Sequence, residues 1–169
     1  MYLIWSLINA AFGILFFALV LLLFTKGKKL FNNKYGNPII VIFVIGVLGI
    51  LNVGDKEFKN QHELYGNDIK TNTIKSVDIR MAENISQIFH LNTRFKKNEK
   101  NEFVPSFCRT DLAGFISGFD WESKSVVINK LDDNSFSYEV NGLMHWSLFG
   151  IKFYTQNKDF EGTLTLEEY

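Results

Sequence analysis

The chain has one cysteine, two prolines and, through its first 53 residues, not a single acidic side chain. Cys108 by itself can form no intramolecular disulfide and no thiolate metal site. Within Phe103-Val-Pro-Ser-Phe-Cys108 it reads as a small buried apolar residue, with no neighbouring histidine to activate it as a nucleophile. His62, His90 and His145 are widely separated, and none stands in a two-histidine ligand spacing, so no metal is expected.

Phosphate chemistry is equally absent. Leu112-Ala-Gly-Phe-Ile-Ser-Gly118 has two glycines but no phosphate-loop spacing, lysine or following helix, and reads as a bulged or tightly packed strand. Asp132-Asp133 falls in a turn, where aspartate bonds its own backbone. Asn84-Ile-Ser86 matches a glycosylation sequon, a pattern that recurs by chance. Together these readings predict neither catalysis nor a cofactor.

What fills the acid-free region is apolar. Residues 1–24 break their apolar character only at Ser6 and Asn9, a length that crosses a hydrocarbon core of about 30 Å as a helix. A cleavable signal peptide would have a basic start, a shorter apolar stretch and a small-residue cleavage site. Here the start is Met-Tyr-Leu-Ile-Trp and the run ends directly in lysines. A second run, 38–53, follows Tyr35-Gly-Asn-Pro38, which supplies a turn and a proline at the helix start. Its many β-branched residues favour a strand in water, but a lone strand in lipid leaves its backbone unpaired, so a helix is expected. The expectation is a transmembrane hairpin over 1–53.

Lysine placement orients that hairpin. Lys26, Lys28, Lys29 and Lys34 occupy the loop without a compensating acid, whereas the residues after the second run mix both signs. Basic short loops stay in the cytoplasm, so both termini should face outward. The chain is then an integral protein of a bacterial inner membrane with an extracytoplasmic C-terminal domain. All 18 acids lie after residue 53 with 14 of the 18 basic residues, leaving that part near −4 and the hairpin at +4. An acidic domain is a poor nucleic-acid binder, because affinity for nucleic acid rests on neutralised phosphates. The basic cluster Arg94-Phe-Lys-Lys97 with Lys100 is diluted by Glu99 and Glu102 and reads as a solvated strand end.

A polar connector spans 54–72, with room for one short helical stretch. From 73 to 169 the apolar period becomes two, the mark of half-buried strands. Phe89, Leu91, Thr93 and Phe95 share one face; Phe160, Gly162, Leu164 and Leu166 share another. Turn signals stand at 98–101, 117–120, 132–134, Asn141-Gly142 and 156–159, of which Asn-Gly is the strongest hairpin signal. Seven or eight antiparallel strands in meander order predict a small barrel or sandwich. The fold class is therefore a membrane protein of α+β type, a two-helix hairpin followed by a β-rich domain. Seventeen phenylalanines imply an aromatic core or rings left for a ligand, partner or membrane surface.

Two functions fit. The first is a non-enzymatic accessory or interaction protein that presents its β-domain to a larger membrane complex or envelope partner. Its partners would be the bilayer and other membrane subunits or copies of itself. The second is a ligand-gated effector whose hairpins oligomerise and perturb the membrane. The layout of two spans and a strand-rich domain resembles the two-transmembrane β-barrel effectors of bacterial antiphage signalling; no residue motif carries over. That resemblance implies a cytoplasmic domain and a cyclic nucleotide ligand.

Helix contacts can also be anticipated. Ser6, Asn9, Ala10 and Gly13 share a face of the first helix, and Gly46, Gly49 and Asn52 one of the second. Small residues let helices approach closely in lipid, so these faces are expected to meet, with Asn9 and Asn52 bonding each other or a partner helix.

Overall fold

The computed structural model describes residues 1–26, 36–51, 60–65 and 73–166. Helix α1 (Tyr2–Lys26) is apolar on all sides, and its last turn is tightened by Thr25, whose hydroxyl donates to the carbonyls of Leu21 and Leu22. Helix α2 (Gly36–Leu51) has Pro38 in its first turn, where a missing N–H costs nothing. Among the described residues only α1 is long and apolar enough to cross a membrane; α2 has 16 residues. The two meet where Phe16 lies beside Phe43 and directly over Gly46, at which a Cβ would overlap the Phe16 ring.

Seven strands follow among the described residues. They are β1 (Gln61–Glu63), β2 (Ile74–Glu83), β3 (Gln87–Lys97), β4 (Phe103–Gly114), β5 (Phe119–Lys130), β6 (Ser135–Leu148) and β7 (Ile151–Thr165). All pairings are antiparallel, giving a sheet of order β1-β4-β3-β2 and a sheet of order β5-β6-β7. The inward residues of both sheets form one core, in which Phe89, Leu91 and Phe95 meet Trp121, Phe136, Val140 and Met144. Where a connector with a possible helical turn was expected, β1 instead adds to the edge of β4. Asn60 closes that seam: its side-chain amide donates to the Trp121 carbonyl and accepts from the Ser123 N–H, as a strand backbone would.

Asn141-Gly142 is not a turn. Both residues lie inside β6, paired with β5 on one side and β7 on the other. Burial alternates without a slip through Phe136, Tyr138, Val140, Gly142 and Met144, so the two apolar stretches are halves of one strand. Glycine is needed at 142 because a Cβ would overlap the Trp121 ring, a requirement of close packing and not of positive φ. The 156–159 segment is likewise strand, within β7. The real β6–β7 turn is Phe149-Gly150, with φ of 48° and 85°, the paired positive values of a two-residue hairpin turn. A phenylalanine in the left-handed region is uncommon.

Because β2 to β7 form a meander, successive turns alternate between the two ends of the domain. One end carries 84–86, 115–118 and 149–150; the other carries 98–102 and 131–134. Helix α1 meets the first end.

Candidate functional site at the helix–domain junction

The polar side chains in the first two turns of α1 point at the β-domain. Trp5 donates its indole N–H to the carbonyls of Gly118 and Ser147, at 3.2 and 3.1 Å. Ser6, fully buried, donates its hydroxyl to the Phe115 carbonyl at 3.0 Å. Asn9 uses both halves of its amide: Nδ2 donates to the Trp5 carbonyl, and Oδ1 accepts the backbone N–H of Phe149. The two loops they grip are themselves joined, since Ser147 N–H donates to Gly118 O at 2.8 Å.

Aromatic packing completes the joint. Tyr2 lies against Phe119 and Trp146, with its hydroxyl donating to Gln156 and the Lys158 ammonium over its ring. Phe149 packs its ring on Phe12 and Phe16. Gly118 has φ +81°, and a Cβ there would overlap the Asn9 amide, so this loop closes on α1 only as glycine. Hydrogen bonds of this kind contribute about 1 kcal/mol each, and removing one partner costs more because the other is left buried and unmet.

The polar residues of the expected helix–helix face turn to the β-domain. Asn9 is satisfied by Phe149 and Trp5, and Ser6 by Phe115, so among the described residues both bond the β-domain or their own helix. At Gly13 a Cβ would meet the Phe149 ring only at ordinary contact distance, whereas Gly46 is the residue that admits Phe16. Gly49 lies in α2; Asn52 lies outside the described residues, as do Lys28, Lys29 and Lys34, while Lys26 ends α1. Sequence reasoning missed Tyr2, Trp5 and Phe149, which in an apolar run and a strand-rich segment look like ordinary hydrophobes. One signal was present: Ser6 and Asn9 lie on the same side of a helix as Tyr2 and Trp5.

Elsewhere the chemistry is structural. A cleft of about 260 Å³ opens at the β4–β5 seam between Asn60, Arg109, Asp111, Ile116 and Trp121, with Arg109 and Asp111 paired at 2.9 Å. That is below the usual size of a small-molecule site. His145 contacts Thr155 and Glu122 across β6, β7 and β5, at 2.9 and 3.2 Å. His145 and Thr155 are ladder partners in the sheet, so these contacts tie three strands together. His62 meets the Ser123 hydroxyl at 2.7 Å, and burial pushes its imidazole below the ordinary value. The fold also makes His62 the ladder partner of Cys108, a neighbour that sequence spacing did not suggest. Burial nevertheless pushes the Cys108 thiol up to about 12, which leaves it unreactive. No cluster of metal-ligating side chains occurs among the described residues.

Comparison with known proteins gives no match to a family, to a curated protein or to a solved structure.

Proposed function

We propose that this is a non-enzymatic, membrane-anchored accessory or interaction protein, in which a two-helix hairpin holds an extracytoplasmic β-domain for a larger membrane complex or envelope partner. The observation that carries this reading is the hydrogen-bonded grip of Tyr2, Trp5, Ser6 and Asn9 on the β-domain. A cleaved signal sequence would take all four residues away and leave the loop carbonyls and the Phe149 N–H unmet. The same grip holds the start of α1 and the β-domain on one side of the bilayer. On this reading the chain leaves that side through α1 and returns through the shorter α2.

The lysine-rich loop then orients the hairpin with its loop inward. Partners of the domain are the bilayer and further membrane subunits or copies of itself. Protease added outside cells with a permeabilised outer layer should remove a C-terminal tag. Protection of that tag, together with outside labelling of an Asn33→Cys variant, would reverse the orientation.

The effector reading draws support from a different observation. Among the described residues, Gln87, 1% exposed, finds no partner for either atom of its amide, and the buried Trp146 indole N–H finds none either. Both lie towards the end of the core that meets α1, where a polar ligand would satisfy them. A cyclic dinucleotide added to the detergent-solubilised chain should raise its melting temperature if this reading holds.

A further inference from the structure

We propose that the helix-bearing end of the β-domain is itself a membrane-insertion surface, seating Ile85, Phe115, Ile116 and Phe153 in the bilayer interface around α1. The inference rests on the membrane-anchored reading above and adds a contact which that reading does not require.

Exposed apolar side chains in the domain collect at this end. Ile85, at the β2–β3 turn, is 97% exposed; Phe115 and Ile116 are exposed in the β4–β5 loop. Phe153 is 63% exposed and is the extra residue of a bulge, since Trp146 pairs with Tyr154 and Ser147 with Lys152. A bulge re-aims a side chain, here outward near the start of β7, beside the exposed Tyr154. At the opposite end the turns are built from Asn98, Glu99, Lys100, Asn101, Asp132 and Asp133. Large hydrophobes exposed towards that end, among the described residues, are Tyr65, Ile74, Val127 and Leu131, spread over separate edges and turns with no apolar helix among them. Isolated exposures need no explanation; a set gathered around an apolar helix does.

Length gives an independent argument. The Phe149 N–H is fixed to Asn9, which lies 16 positions before Thr25, so the part of α1 beyond that joint rises about 24 Å. Helix α2, with 16 residues, is about 24 Å long as well. Both fall short of a hydrocarbon core of about 30 Å. Sinking the domain end by about 6 Å closes the gap, a depth within the roughly 5–10 Å at which interfacial apolar groups lie. The faces of α1 that the domain leaves open at this level, Leu3, Ile4, Leu7 and Ile8, are apolar and exposed, as lipid contact requires.

The test uses the full chain in vesicles of phosphatidylcholine and phosphatidylglycerol. Single variants Ile85→Cys, Phe153→Cys, Leu131→Cys and Leu21→Cys carry an environment-sensitive fluorophore; native Cys108 is fully buried and stays unlabelled. Labels at 85 and 153 should be quenched by doxyl-lipid and show a severalfold loss of iodide quenching relative to 131. If they are as open to iodide as 131 while the label at 21 is quenched from the lipid, insertion is wrong and anchoring stands. Shielding of 85 and 153 from both quenchers means a protein partner, such as a second copy, covers this end, which also overturns the proposal. Iodide access at 21 overturns the anchoring reading and this inference with it.

Discussion

Asn9 and Phe149, 140 positions apart, share a hydrogen bond that fixes a strained turn to an apolar helix. The Phe149 backbone has φ 48°, and its N–H is held by the Asn9 carboxamide oxygen at 3.1 Å. Left-handed backbone at a bulky residue costs of order 1–3 kcal/mol and persists only where its surroundings hold it. Here the helix does the holding, so this bond couples helix and β-domain beside those of Tyr2, Trp5 and Ser6.

Replacing Asn9 by leucine should uncouple them. The Phe149 N–H loses its acceptor and the larger side chain meets Gly118, so a loss of about 1–3 kcal/mol is expected in denaturant unfolding of the solubilised chain. Labelling of Cys108 during the unfolding reports it, because that thiol is reached only when the core opens. An unchanged midpoint in Asn9→Leu means the joint is not a source of stability.

Gly142 and Gly150 should respond to alanine for different reasons. Alanine at 142 overlaps the Trp121 ring and the Glu122 carbonyl inside the core, and overpacking of this sort costs about 1–3 kcal/mol. At 150 the backbone itself, at φ 85°, sets a penalty of about 1 kcal/mol. Trp121 emission should shift in Gly142→Ala and stay fixed in Gly150→Ala; equal spectra would contradict the packing role.

Gln87→Met should stabilise the chain. Two buried amide atoms without partners among the described residues are replaced by an apolar side chain of similar size, removing a desolvation penalty of about 1–3 kcal/mol. A rise in melting temperature is expected without ligand. A fall instead would mean that the amide is satisfied in the working protein, which favours the effector reading.

Stability should also drop in mild acid through His62. Burial holds its imidazole below the ordinary 6.5, so the unfolded chain takes up this proton first as pH falls. The contribution is fully present above pH 6.5 and is lost as pH falls through the folded value. His62→Gln should flatten that part of the stability profile, measured as denaturation midpoints across the acid range. A profile identical to that of the parent chain would place the titration elsewhere.

Local pattern alone determined much of this protein. The length and uniform apolarity of residues 1–24 specify α1, since no other backbone arrangement of such a run satisfies itself in an apolar setting. Strict alternation placed Phe89, Leu91, Thr93 and Phe95 inward in β3, and Leu164 and Leu166 inward near the end of the chain, because side chains in a strand have a period of two. Turn chemistry was read correctly where polar residues bond their own backbone, as Asn98 does to the N–H groups of Lys100 and Glu102. It failed at Asn141-Gly142 and at Phe149-Gly150, where the decision was not local. A glycine under Trp121 answers to a ring on the next strand, and a phenylalanine at positive φ answers to a helix 140 residues away. The partners of Ser6 and Asn9 were hidden for the same reason. A sequence shows that a polar group in an apolar helix needs a partner, but which loop supplies the carbonyl depends on how the sheets pack, and only the tertiary structure sets that.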